Sequence, residues 1–168
     1  MKHLVRTACM SLGLACLGTA TPAQTLVFSP KATEACLAGV DHPADCIGTS
    51  AEACMEATEG GYSTLGMVAC TEAELRYWDG QLNAAYGPLM ERSRADDGAD
   101  SKLGIGGSGR ADTLRAMQRA WIAYRDAACE YERATWGGGT GGGPAAVGCM
   151  MRLTAEQAMA LEARLAGE

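Results

Sequence analysis

Eight cysteines in 168 residues constrain this chain more than any other feature, because its first residues have the make-up expected of an export signal and exported thiols oxidise. Lys2 and Arg6 precede an apolar stretch over residues 7–18, and the small residues Thr21 and Ala23 stand just before Gln24. This is the plan of a secretory signal peptide, expected to span residues 1–23 and to be cleaved after Ala23. Lipid anchoring requires an aliphatic residue three places before the modified cysteine. Cys16 has Gly13 there and Cys9 has Arg6, so an unlipidated product is expected. Six cysteines then remain: Cys36, Cys46, Cys54, Cys70, Cys129 and Cys149. Six allow fifteen pairings. If Cys46 and Cys54 share one helix they lie about 12 Å apart along its axis, beyond disulfide reach, so each needs another partner. The simplest solution joins neighbours across turns: Cys36 with Cys46, Cys54 with Cys70, Cys129 with Cys149. A metal site is the rival use of cysteine, but there is no Cys-x-x-Cys, and His42 is the one histidine after the signal. No metal or other cofactor is expected.

Residues 24–168 suit one compact domain with a modest core. Loss of Lys2 and Arg6 leaves twelve basic side chains against twenty acidic ones, a net charge near −8. Nucleic acid and anionic membranes would repel such a surface, and a basic protein partner would be attracted to it. No later segment approaches the roughly eighteen uninterrupted apolar residues of a membrane span. A periplasmic or secreted protein is expected.

Hydrophobic periodicity is helical almost throughout, and no run alternates long enough for a convincing strand. Leu114, Met117, Trp121, Tyr124, Ala128 and Tyr131 recur every three or four residues and predict one helix over 111–135, with Trp121 and Tyr124 in the core. Leu75, Trp78, Leu82, Ala85 or Tyr86, and Leu89 predict another over 64–96, kinked or unwound near residues 84–87 by Pro88. Thr154 and Gln157 have the spacing of a capping box and place the start of a last helix. A shorter helix over 43–58 would hold Cys46 and Cys54, with a helical turn around Cys36 before it. Residues 97–109 and 137–144 are rich in glycine and predict loops. The fold class is therefore all-α: a small disulfide-stapled bundle of two long antiparallel helices, a C-terminal helix and a short N-terminal helical extension.

Catalytic and nucleotide-binding patterns fail on context. Gly104, Gly106 and Gly109 match a dinucleotide fingerprint in spacing, but an acidic polar stretch rather than a buried strand precedes them. A serine-protease arrangement would depend on His42 beside Pro43, and no two carboxylates are singled out by spacing. No catalytic residue is assigned.

The most informative stretch is 118–129, with Gln118, Trp121, Tyr124, Arg125, Asp126 and Cys129. Gln118 and Arg125 are seven apart and flank the apolar seam together, placed to bond a facing helix. Asp126 neighbours Ile122 and Glu130, so no basic partner on its own helix is foreseen. This series resembles the signature of the LprI-like lysozyme inhibitor N-terminal domain family. Cys70 with the acidic helix after it, Leu82 and Asn83 with Tyr86, the Cys129 and Cys149 pair, and the closing segment from Leu153 and Thr154 agree, over about residues 68–166. The family often carries Arg where this chain has Gln157. The resemblance implies an LprI-like helical domain at 64–168 preceded by an extension at 24–63. It also implies a binding protein, not an enzyme, whose target is a lysozyme. Asp96, Asp97 and Asp100 are the expected aids to encounter with that basic target, with a glycine-rich loop entering its cleft. The alternative is an envelope adaptor that binds peptidoglycan or another exported protein without inhibiting anything.

Overall fold

The computed structural model describes residues 25–107 and 109–167, so the expected signal peptide lies outside the described residues. Among those described there are five α-helices and no strand: α1 (Lys31–Leu37), α2 (Thr49–Ala57), α3 (Thr64–Lys102), α4 (Arg110–Ala134) and α5 (Gly142–Ala166), with a single 3-10 turn, Pro43–Cys46, between α1 and α2. Disulfides join Cys36 to Cys46, Cys54 to Cys70 and Cys129 to Cys149, with Cα separations of 5.6, 5.6 and 5.4 Å. The loops they close span 10, 16 and 20 residues. Constraint of the unfolded chain makes each worth about 3 kcal/mol.

The bundle is built on α3. Trp78, Leu82, Ala85 and Leu89, on one stripe of α3, meet Met151, Ala155, Ala158 and Leu161 of α5, and Ala51 of α2 closes one end of this core. Ala155 and Ala158 are completely buried, and their small side chains let the two helices approach closely. Gly143 at the start of α5 lies beside Val68, whereas the Arg92 guanidinium donates to the carbonyls of Arg164 and Leu165 at its end, so α5 runs parallel to α3. α4 runs antiparallel to both and packs against them: its first residues bond Asp97 near the end of α3, and Cys129 near its own end is bridged to α5.

Several boundaries differ from those expected. The segment 43–58 is not one helix; it breaks at Gly48, whose φ of +95° an L side chain rarely adopts. Cys46 and Cys54 thus lie on separate elements. α3 runs through Pro88 to Lys102 without unwinding, taking Asp97 and Asp100 out of the expected loop; Pro88 is exposed. α5 starts twelve residues before Thr154, which is buried mid-helix and caps nothing. The glycines at 142, 143 and 148 are helical because this segment packs: Gly142 sits against Arg133 and Trp136, and Val147 and Met151 are buried. Tertiary burial here outweighs a propensity cost of about 1 kcal/mol per glycine. Finally, Tyr124 is 62% and Tyr131 73% exposed, and Trp121 is half-buried. The seam of α4 is narrower than its apolar periodicity suggested, because only α3 and α5 are present to cover it.

The N-terminal elements are locked to α3 by Glu74, which is fully buried. Its Oε1 accepts from the Thr33 hydroxyl at 3.1 Å, the Gly48 amide at 2.8 Å and the Trp78 indole at 3.0 Å, and its Oε2 accepts from the Ala51 amide at 2.6 Å. Thr33 and Ser50 complete the network with reciprocal bonds, each backbone N–H donating to the other's hydroxyl at 2.9 and 3.1 Å. Gly48, the N-cap of α2, has no side chain to satisfy the first amides of that helix. Glu74 and Thr33 do so from neighbouring helices.

Candidate functional site

Helical spacing gathers six of the eight motif residues at one groove between α3 and α4. Leu82, Asn83 and Tyr86 come from α3, and Gln118, Trp121 and Arg125 from α4. With Asp79, Arg115 and Arg119 they enclose a volume of about 370 Å³. Tyr124 faces solvent. Asp126 is also exposed and pairs with the preceding residue: its Oδ1 accepts from Arg125 Nε at 3.0 Å and from a terminal nitrogen of the same guanidinium at 2.8 Å.

Most polar atoms in the groove bind elements to one another. Gln118, buried on α4, accepts from Gln157 Nε2 of α5 at 3.0 Å. Arg125 donates to the Thr154 hydroxyl of α5 at 3.5 Å and lies over the Trp121 ring, 5.0 Å from its centroid. Such a stacked guanidinium adds roughly 0.5–2 kcal/mol depending on its exposure. Asn83 donates from Nδ2 to the carbonyl and carboxylate of Asp79 one turn earlier, at 2.8 and 3.1 Å. The motif therefore works first as a joint of three helices, with Arg115 and Arg119 at its open side. Among the described residues no three His, Cys, Asp or Glu side chains are grouped to hold a metal ion.

The three carboxylates expected to meet a partner occupy the last turns of α3. Asp97 caps α4, accepting from the Arg110 amide at 2.8 Å and the Ala111 amide at 3.0 Å. The Ala111 amide first, then the Arg110 amide and guanidinium, hold its carboxyl below the usual 3.8. The Arg110 guanidinium also reaches Asp100 at 2.6 Å and Asp97 at 3.5 Å. Asp100, foremost, raises the Arg110 pKa. Asp96 stays exposed. Asp97, Asp100 and Arg110 form one wall of a cleft completed by Gly104, Ile105 and Gly106.

Charge is unevenly divided. Residues 24–109 carry thirteen acidic and five basic side chains, whereas 110–168 carry seven of each. Nearly all of the negative excess lies in residues 24–74, where eight carboxylates face one lysine, Lys31, and only Glu74 of the eight is buried. Desolvation, and after it the nearby Glu56 and Glu52, raise the hydroxyl pKa of Tyr62 at this end. Sequence reasoning missed this acidic end and missed Glu74. A signal for the latter was present: Glu74 stands four residues after Cys70 and four before Trp78, on the inner stripe of α3.

The family described as Lysozyme inhibitor LprI matches residues 54–161. The chain is 29% identical over 140 residues to an uncharacterised 17.7 kDa protein in the puhA 5′ region of Rhodobacter capsulatus, covering 81% of this chain and 86% of that protein. It is 28% identical over 100 residues to an uncharacterised protein of Rhizobium meliloti strain 1021, covering 60% of this chain and 72% of the relative. No solved structure matches it significantly.

Proposed function

We propose, for a chain that belongs to the LprI lysozyme inhibitor family, that it is an exported binding protein that engages a basic lysozyme in the cell envelope. Three disulfides suit an oxidising compartment outside the cytoplasm, periplasmic or extracellular. The observation that carries the reading is the segregation of charge onto the disulfide-clamped N-terminal end. Lysozymes are usually basic, and a concentrated field on a rigid body speeds encounter and selects orientation. Asp97 and Asp100 are held by Arg110. The proposed encounter surface is therefore the end bearing Glu34, Asp41, Asp45, Glu52, Glu56 and Glu72, and Asp96, exposed in the last turns of α3, lies outside it.

Residues 24–168, purified with their bridges intact, should slow lysis of cell walls by a lysozyme at near-equimolar ratio, with inhibition weakening as salt rises toward the screening regime. No inhibition at large molar excess in low salt would remove the reading. The exposed aromatic row of Tyr124, Tyr131 and Trp136, within the charge-balanced segment 110–168, favours a second reading as an envelope adaptor. An adaptor would retain a native envelope partner through that row while leaving lysozyme activity untouched.

A further inference from the structure

A second cleft, of about 650 Å³, opens where the N-terminal elements meet α3 and α5; Leu37, Pro43, Tyr77, Trp78, Met159 and Glu162 are among its walls. Its volume falls within the range of about 300–1,000 Å³ usual for ligand sites, and its lining is mainly apolar. Tyr77 stands edge-on to Trp78, ring centroids 5.2 Å apart. One carboxylate, Glu162 of α5, stands in this apolar wall, together with the polar side chains of Gln81 and His42. The Tyr77 hydroxyl pKa is raised first by burial and then by Glu34 of α1, Glu162 of α5 and Glu74 of its own helix. Burial also raises the Glu162 pKa, and among the described residues this carboxylate makes no hydrogen bond or ion pair. Glu162 has thus given up part of its hydration without gaining a donor.

A ligand suited to these walls must be cationic at one end, to meet Glu162, and apolar along its length, to cover Tyr77, Leu37 and Met159. Aromatic faces favour a cation over an anion, and the long side chains of lysine and arginine combine a charged tip with a methylene stem. We propose that this cleft seats a lysine or arginine side chain of a basic protein partner, its charge against Glu162 and its stem along Tyr77. The proposal deepens the inhibitor reading and rests on it only for the partner's identity. It gives the encounter surface an anchor point, since interface energy concentrates where a few side chains fill pockets.

The test uses the disulfide-bonded protein, isotopically labelled, titrated with the blocked tripeptide Ala-Arg-Ala and with its citrulline counterpart, which keeps the shape and lacks the charge. Saturable shifts at Tyr77, Glu162 and the Trp78 indole are expected with the arginine peptide. Affinity should fall about five-fold with citrulline, and equally in Glu162→Gln, the worth of one partly exposed ion pair. Equal binding of both peptides, equal binding by Glu162→Gln, or no response at Tyr77 would overturn the proposal. Lysozyme inhibition measured in parallel separates the two ideas. Inhibition unchanged in Glu162→Gln discards the anchor and keeps the inhibitor, whereas peptide binding without any inhibition does the reverse. A melting temperature for Glu162→Gln at or slightly above that of the parent shows that the fold is intact, because the substitution removes a carboxylate that burial disfavours.

Discussion

α3 carries two carboxylates that perform the same local task in opposite surroundings. Glu74 caps α2 and Asp97 caps α4; in both cases the capped helix begins behind a glycine, Gly48 or Gly109, that offers no side chain of its own. Gly109 leaves room for the approach, since a Cβ there would lie 3.1 Å from Asp97 Oδ2. Glu74 is completely buried and accepts four hydrogen bonds, whereas Asp97 faces water beside an exposed arginine. A buried acceptor is indispensable because water cannot replace it, while an exposed one competes with solvent at every bond. One geometric device thus acts as a keystone at one end of the bundle and as an adjustable latch at the other.

Four experiments would break or sharpen that contrast. The largest effect is expected for Glu74→Ala, which strips the Thr33, Gly48, Ala51 and Trp78 donors of their acceptor. A loss of about 4 kcal/mol in chemical unfolding, against a total stability of about 5–15 kcal/mol, would follow. A loss under about 1 kcal/mol would end the keystone reading. Removing the Cys54 and Cys70 bridge by a double serine substitution should cost about 3 kcal/mol and leave helix content intact, as circular dichroism before the transition would record. Gly48→Ala forces an alanine into the left-handed region and should cost about 1–2 kcal/mol, seen as a lowered thermal midpoint.

Asp97→Asn should have the smallest effect, and one that depends on pH. The folded carboxyl titrates below its ordinary 3.8, so its contribution is present above that value and is lost as pH falls through the depressed pKa. Amide exchange at Arg110 and Ala111 should therefore be faster in the variant at pH 5, with the gap between the proteins closing below pH 3.8. A gap that persists unchanged in acid would show that Asp97 is not the latch.

The all-helical class and the three bridges were legible in the sequence, the first from spacing and the second from an even cysteine count behind a leader-like segment. The neighbour pairing was reached through a helix that Gly48 in fact interrupts, so that conclusion outlived its premise. The course of α3 was misjudged at its end because an acidic, glycine-containing segment looks solvated whether or not it is helical. Asp97 and Asp100 are helical there and bound to Arg110. Of the motif, Gln118 and Arg125 reach α5 from the flanks of the seam, while Tyr124 has the right spacing and nothing to cover it.

What the sequence alone determined is what depends on neighbours along the chain: helical periodicity, net charge, and the number of sulfurs available for bridging. Only the tertiary structure decided which polar groups are shut away together and which carboxylates remain open to a partner. Glu74 and Glu162 are the same residue type on similar helices; spacing placed Glu74 on an inner stripe, but no local pattern says which donors would meet it or that Glu162 would meet none. One is enclosed by donors from four residues and the other has met none among the described residues, a difference set by which helices surround each of them.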